Sequence, residues 1–132
     1  MLALETIHGI RVVASPSTID AIVWPAAATP MRIAPDDVFV LGTESVGVSG
    51  EHAIVTAESG FVGCWLDSAQ LEHVASHIDW GLPPADARPA LAQGFVASVP
   101  AKLYLTGSAS GDHAALLFTN APYASELMER LA

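Results

Sequence analysis

The alternation from Phe95 to Leu105 constrains this chain more than any other stretch. It reads F-V-A-S-V-P-A-K-L-Y-L. Phe95, Ala97, Val99, Ala101, Leu103 and Leu105 hold one parity, all apolar, while Val96, Ser98, Pro100, Lys102 and Tyr104 hold the other, more polar one. A period of two over that length predicts a strand with one face on a core and the other wetter. Gly107 to Asp112 is rich in turn formers, and His113 to Thr119 (H-A-A-L-L-F-T) predicts a second, more buried strand. Gln93 to Thr119 is therefore expected to form a long hairpin, with a short helix after it.

Toward the N-terminus the signals are shorter. Ile10 to Val13 reads as a strand broken by Ser15-Pro16-Ser17, and Ile19 to Trp24 as another short strand. Pro25 to Pro30 predicts a loop, because proline ends ladders and restricts the residue before it. Ala34-Pro35-Asp36-Asp37 is a turn signature before a buried strand, Val38 to Leu41, which Gly42 ends. Thr43 to Glu51 reads as a loop. His52–Thr56 and Phe61–Leu66 flank Glu58-Ser59-Gly60 and predict a hairpin.

Asp67 occupies a helix N-cap position with Gln70 placed to complete a capping box. Leu71, Val74, Ala75 and Ile78 then line one face, and the helix is expected to stop near Asp79 to Gly81. Gly81 to Pro89 is a proline-rich connection. Asn120-Ala121-Pro122 opens a last helix with Ala124, Leu127, Met128 and Leu131 as its inner stripe. From residue 52 the expected order is β-β-α-β-β-α. That order predicts an α+β two-layer sandwich, a mostly antiparallel sheet with two helices, in a single domain spanning residues 1–132.

Charge excludes whole classes of function. The net charge is −9, and Arg11, Arg32, Arg88, Lys102 and Arg130 are the only lysines and arginines, too few for the basic stripe that nucleic acid requires. An anionic membrane surface is disfavoured for the same reason. No run reaches the roughly 18 apolar residues of a membrane span, and the N-terminal residues lack the pattern of a secretion signal, so a cytoplasmic protein is expected. The mean hydropathy of +0.43 is high for so small a chain and points to a protein partner or a homo-oligomer.

Candidate chemical groups are sparse. Cys64, the single cysteine, sits in F-V-G-C-W-L and reads as a small core hydrophobe. His73 and His77 are four apart on the predicted helix, a spacing that can bring two imidazoles to one metal. They fall opposite the apolar stripe, and Val74 stands where a catalytic zinc helix carries its glutamate, so solvated histidines and no metal site are expected. Asp36 and Asp37 are accounted for by the turn. Neither a phosphate-binding glycine loop nor a G-x-S-x-G elbow occurs. No catalytic residue is assigned. Trp65, Trp80 and Tyr104 are the candidate interface residues, since large aromatic groups anchor protein contacts.

One family resemblance runs from about Arg32 to Leu131. It rests on A-P-D-D-V-F-V-L-G, on the helix ending I-D-W-G-L-P, on A-Q-G-F-V-A-S-V-P-A-K-L-Y-L, and on A-L-L-F-T-N-A-P-Y-A-S-E-L-M-E-R-L. Together these segments resemble the gamma subunit of heterotetrameric sarcosine oxidase, a family similar to the folate-binding half of the glycine-cleavage T-protein, aminomethyltransferase. The first thirty or so residues do not match. Leu66-Asp67-Ser68-Ala69 and Thr119-Asn120 depart from the family pattern. The resemblance implies a non-catalytic accessory subunit with no cofactor of its own, acting by protein contacts in an amine-oxidising complex whose flavins lie in other chains. The related alternative is a binder of folate or another one-carbon carrier. Asp36, Asp37 or Glu58 would then meet the donors of a pteridine.

Overall fold

The computed structural model describes residues 2–50, 52–108 and 111–132. It is α+β, with antiparallel strand pairings and short helices. The chain divides into two compact units: His8–Ser59, and the segment before His8 together with Gly60–Ala132.

The second of these holds the sheet order β4-β7-β6-β5, from strands Ile54–Leu66 (β4, from its residue 60 onward), Ala115–Asn120 (β7), Val99–Leu105 (β6) and Ala90–Val96 (β5). Register fixes its two faces. Leu103 pairs with Leu117 and with Ala92, and Leu117 pairs with Cys64, so these four share one face. On that face Leu66, Val99, Ala101, Leu103, Leu105, Ala115 and Leu117 form one core with Val74 of helix α2 (Ser68–Ala75) and with Leu127 and Leu131 of helix α3 (Ala124–Leu131). Each fully buried leucine there contributes roughly 1.5–3 kcal/mol. The opposite face carries Phe61, Trp65, Leu116, Phe118 and Tyr104. Thr119, the buried polar residue of β7, donates its hydroxyl to the Pro100 carbonyl at 2.6 Å.

The predicted cap is present. The Asp67 carboxylate accepts the Gln70 N–H at 2.8 Å, and the Gln70 side-chain oxygen accepts the Asp67 N–H at 2.9 Å. α2 ends at Ala75, a few residues before the expected stop. Leu127 and Leu131 are buried as the stripe predicts, while Ser125, Glu126, Glu129 and Arg130 face water.

The unit His8–Ser59 holds the order β2-β3-β1, from Thr29–Ala34 (β2), Asp37–Leu41 (β3) and Glu5–Val13 (β1, from His8 onward). Ile10, Val12, Ala14, Ile19, Val38 and Val40 make its core. Strands β1 and β4 both begin in one unit and end in the other.

Several expectations are corrected. The strand expected at Ile19–Trp24 is absent. Helix α1 (Pro16–Asp20) stands at its start, because Ser15 accepts the Thr18 N–H and Pro16 begins the first turn, which makes S-P-S-T a helix entry. The loop at Pro25–Pro30 gives way at Thr29 to β2. The hairpin at His52–Leu66 is instead the single strand β4. Glu58 does not turn the chain; its carboxylate reaches across to Arg11, and residues 61–66 pair with β7.

The strand read from Phe95 to Leu105 is two strands. Ala97 and Ser98 have φ of 48° and 67° and form a two-residue turn between β5 and β6. Val96 pairs with Val99, so Phe95 falls on the other face from Val99 and is 61% exposed. The order from residue 54 is thus β-α-β-β-β-α rather than β-β-α-β-β-α. The predicted turn between β6 and β7 includes Ala109 and Ser110, and the predicted loop Thr43–Glu51 includes Glu51; these three residues lie outside those described.

Candidate functional site

Among the described residues, an ionic cluster of one guanidinium and two carboxylates comes from three strands. Arg11 on β1 pairs with Phe39, two residues beyond Asp37, so Arg11 and Asp37 lie on one face. The guanidinium donates to both Asp37 oxygens, Nε to Oδ1 and Nη2 to Oδ2, each at 2.6 Å, and Nη1 donates to Glu58 Oε1 of β4 at 2.5 Å. The hydrogen bonds that Arg11 donates to Asp37 push its pKa up, outweighing the opposing effect of burial. Forked pairing of this kind fixes geometry as well as charge.

Beside the cluster, within the unit His8–Ser59, lies an open cleft of about 810 Å³. Its polar lining comes from His8, Thr43, Glu44, Glu58 and Ser59. Two glycines shape its floor. A Cβ on Gly9 would sit 2.5 Å from the Val40 carbonyl oxygen and 2.7 Å from the Phe39 ring. Gly42 has φ of +82°, and a Cβ there would meet the Ala27 carbonyl oxygen at 2.2 Å. The cleft presents acceptors to a donor-rich ligand. Of the three carboxylates tied to a folate site by the resemblance, Glu58 lines it. Asp37 is engaged by Arg11, and Asp36 stays in the exposed turn, its carbonyl accepting the Ala14 N–H at 3.1 Å.

A second depression, of about 620 Å³, sits at the β5–β6 turn beyond the end of α2, with Asp79, Phe95 and Ser98 in its lining. The turn is held from three directions. The Ala97 N–H donates to the His77 carbonyl at 2.9 Å, Arg130 Nη1 donates to the Ala97 carbonyl at 3.0 Å, and Trp80 Nε1 donates to the Phe95 carbonyl at 3.0 Å. The Trp80 indole lies against Gly94, where a Cβ would come within 2.6 Å of Nε1.

The candidate interface residues therefore separate. Trp65 and Tyr104 both pair with Leu116 and share one face of the sheet. Trp65 is 37% exposed and stacks on His113, ring centroids 4.5 Å apart. Burial raises the pKa of the Tyr104 hydroxyl. Trp80 lies apart from both, packed with the helix-side core. Phe95, the most exposed aromatic ring of this unit, was hidden in the sequence by the assumption of an unbroken strand. The signal that could have found it is the Ser98-Pro100 spacing, a break in an otherwise apolar run.

His73 and His77 have ring centroids 5.1 Å apart at an interplanar angle of 75°. His73 Nε2 lies 2.6 Å from the Leu131 carbonyl. A carbonyl only accepts, so Nε2 carries the proton and the imidazole ties α2 to the last turn of α3. Among the described residues no three His, Cys, Asp or Glu groups come together in a metal-binding arrangement. Cys64 is half-buried, and desolvation pushes its thiol pKa up. No helix among the described residues is long and apolar enough to cross a membrane. No family model, curated protein or solved structure matches this chain.

Proposed function

We propose that this chain is a non-catalytic accessory subunit, or a free-standing relative of one, that acts through protein contacts in a cytoplasmic amine-oxidising complex of the heterotetrameric sarcosine oxidase type. The observation that carries the reading is Trp65. Its indole is 37% exposed, is backed by His113 and shares a sheet face with Tyr104, as an aromatic contact anchor would. Support also comes from α2 and α3 lying on one face of β4-β7-β6-β5, the arrangement a two-layer sandwich of the gamma type would have. In this role the chain supplies shape, and the flavins and substrate site belong to its partners. Purification of a tagged chain from its native host tests the proposal. A flavin-containing protein should co-purify and be lost on Trp65→Ala; a lone monomer without flavin absorbance overturns it.

A second reading is favoured by Glu58 in the acceptor-lined cleft: a binder of folate or another one-carbon carrier. Calorimetry with tetrahydrofolate tests it. Heat of binding that is lost on Glu44→Gln supports a ligand in the cleft, and the absence of both heat and a melting shift removes that reading.

A further inference from the structure

We infer that the depression at the β5–β6 turn docks an arginine-bearing segment of a protein partner. This deepens the accessory-subunit reading, and rests on it, by naming a patch and the chemistry of what it takes. A single exposed apolar side chain is ordinary on protein surfaces. Phe95 differs in how it is held. It is 61% exposed, yet its own carbonyl is bonded by Trp80, and the adjoining turn is bonded by His77 and Arg130. Three hydrogen bonds from separate elements keep the strand end under the ring fixed, which lowers the entropy lost on contact.

The charge around the ring selects the occupant. Asp79 is exposed and lines the same depression, and the C-terminal end of α2 points its partial negative charge there. The nearby cation, Arg130, is already paired with Glu126 at 2.6 Å. A phenyl ring and a carboxylate lining one depression suit a planar cation that can stack and donate at once, and guanidinium does this better than ammonium. The chain's net charge of −9 adds long-range attraction for a basic segment.

The test uses the whole chain and blocked Gly-Ser-Arg-Ser-Gly peptide, with its glutamate counterpart as control, followed by amide NMR shifts. The arginine peptide should move the amides of His77, Asp79, Phe95 and Ser98. Phe95→Ala and Asp79→Asn should each weaken it at least about fivefold, and added salt should weaken it further. Both positions are exposed, and unchanged melting temperatures will show that the variants fold. Equal shifts from the glutamate peptide, shifts elsewhere, or indifference to both substitutions overturn the inference. If the flavoprotein co-purifies equally well with the Phe95→Ala/Asp79→Asn chain, this docking site falls and the accessory reading stands. If the peptide binds here and no flavoprotein co-purifies, the site stands and that reading falls.

Discussion

Arg11 shows how much of this structure one side chain organises. Its guanidinium joins two carboxylates that are 21 positions apart in the chain, Asp37 and Glu58, with all three side chains less than 30% exposed. Truncation would remove the cation that these two largely buried carboxylates share. Arg11→Ala is expected to lower stability by about 2 kcal/mol in urea unfolding, more than a surface ion pair contributes. A loss below a few tenths would show that the pairing is solvated. Ser98 gives an opposite expectation. Its φ of 67° is the left-handed region, which costs a non-glycine residue about 1 kcal/mol. Ser98→Gly should therefore raise stability by a comparable amount, read as a higher melting temperature. Cys64 makes a third residue-scale case. Burial holds its folded pKa above the unfolded value, so the thiol is neutral and protected below the ordinary thiol range, and that contribution fades as pH rises through the folded pKa. Native protein should react with an aromatic disulfide reagent on the order of tenfold more slowly than urea-unfolded protein near neutral pH. Equal rates would place the thiolate in water.

At the scale of elements, the legible parts were those with local chemistry. Asp67 and Gln70 announce α2 because a capping box is written in four consecutive residues. Asp67→Ala should cost about 1 kcal/mol, checked by urea unfolding, with Asp67→Ser retaining most of it. Leu127 and Leu131 were equally plain, since helical spacing alone puts them inside. The β5–β6 turn was not legible. Primed two-residue turns are usually signalled by Asn or Gly, and Ala97-Ser98 carries neither. Its conformation comes from outside the hairpin, from the His77 carbonyl and the Arg130 guanidinium, which no local pattern can reveal. Strand β4 failed in the reverse way. Glu58-Ser59-Gly60 has turn composition, but Arg11 claims Glu58, and a Cβ on Gly63 would strike the Leu117 carbonyl oxygen at 2.4 Å. Tertiary partners override local preference in both places. The cleft shared this fate. Gly42 was visible as a strand end, whereas the approach of His8 and Glu58 to it depends on pairings between distant segments.

At the scale of the whole molecule, charge and hydropathy were readable at once and remain the firmest constraints on partners. A net charge of −9 and a sequence pI near 4.6 make copies repel one another at long range at neutral pH. Lowering the pH protonates carboxylates, removes that repulsion, and leaves exposed Phe95, Ile54 and Val23 free to associate. Light scattering should rise as pH falls toward 4.6 and reverse with Phe95→Ser if that ring is among the contacts. The division of the chain has a further consequence, for the order in which it can mature. Leu2 and Leu4 pack on a core built from Leu66 onward, and Leu2 lies beside Leu131. During synthesis Leu4 precedes Leu66 by 62 positions, so neither leucine has its core to join until that later stretch has been made. The compact unit His8–Ser59 is made in between.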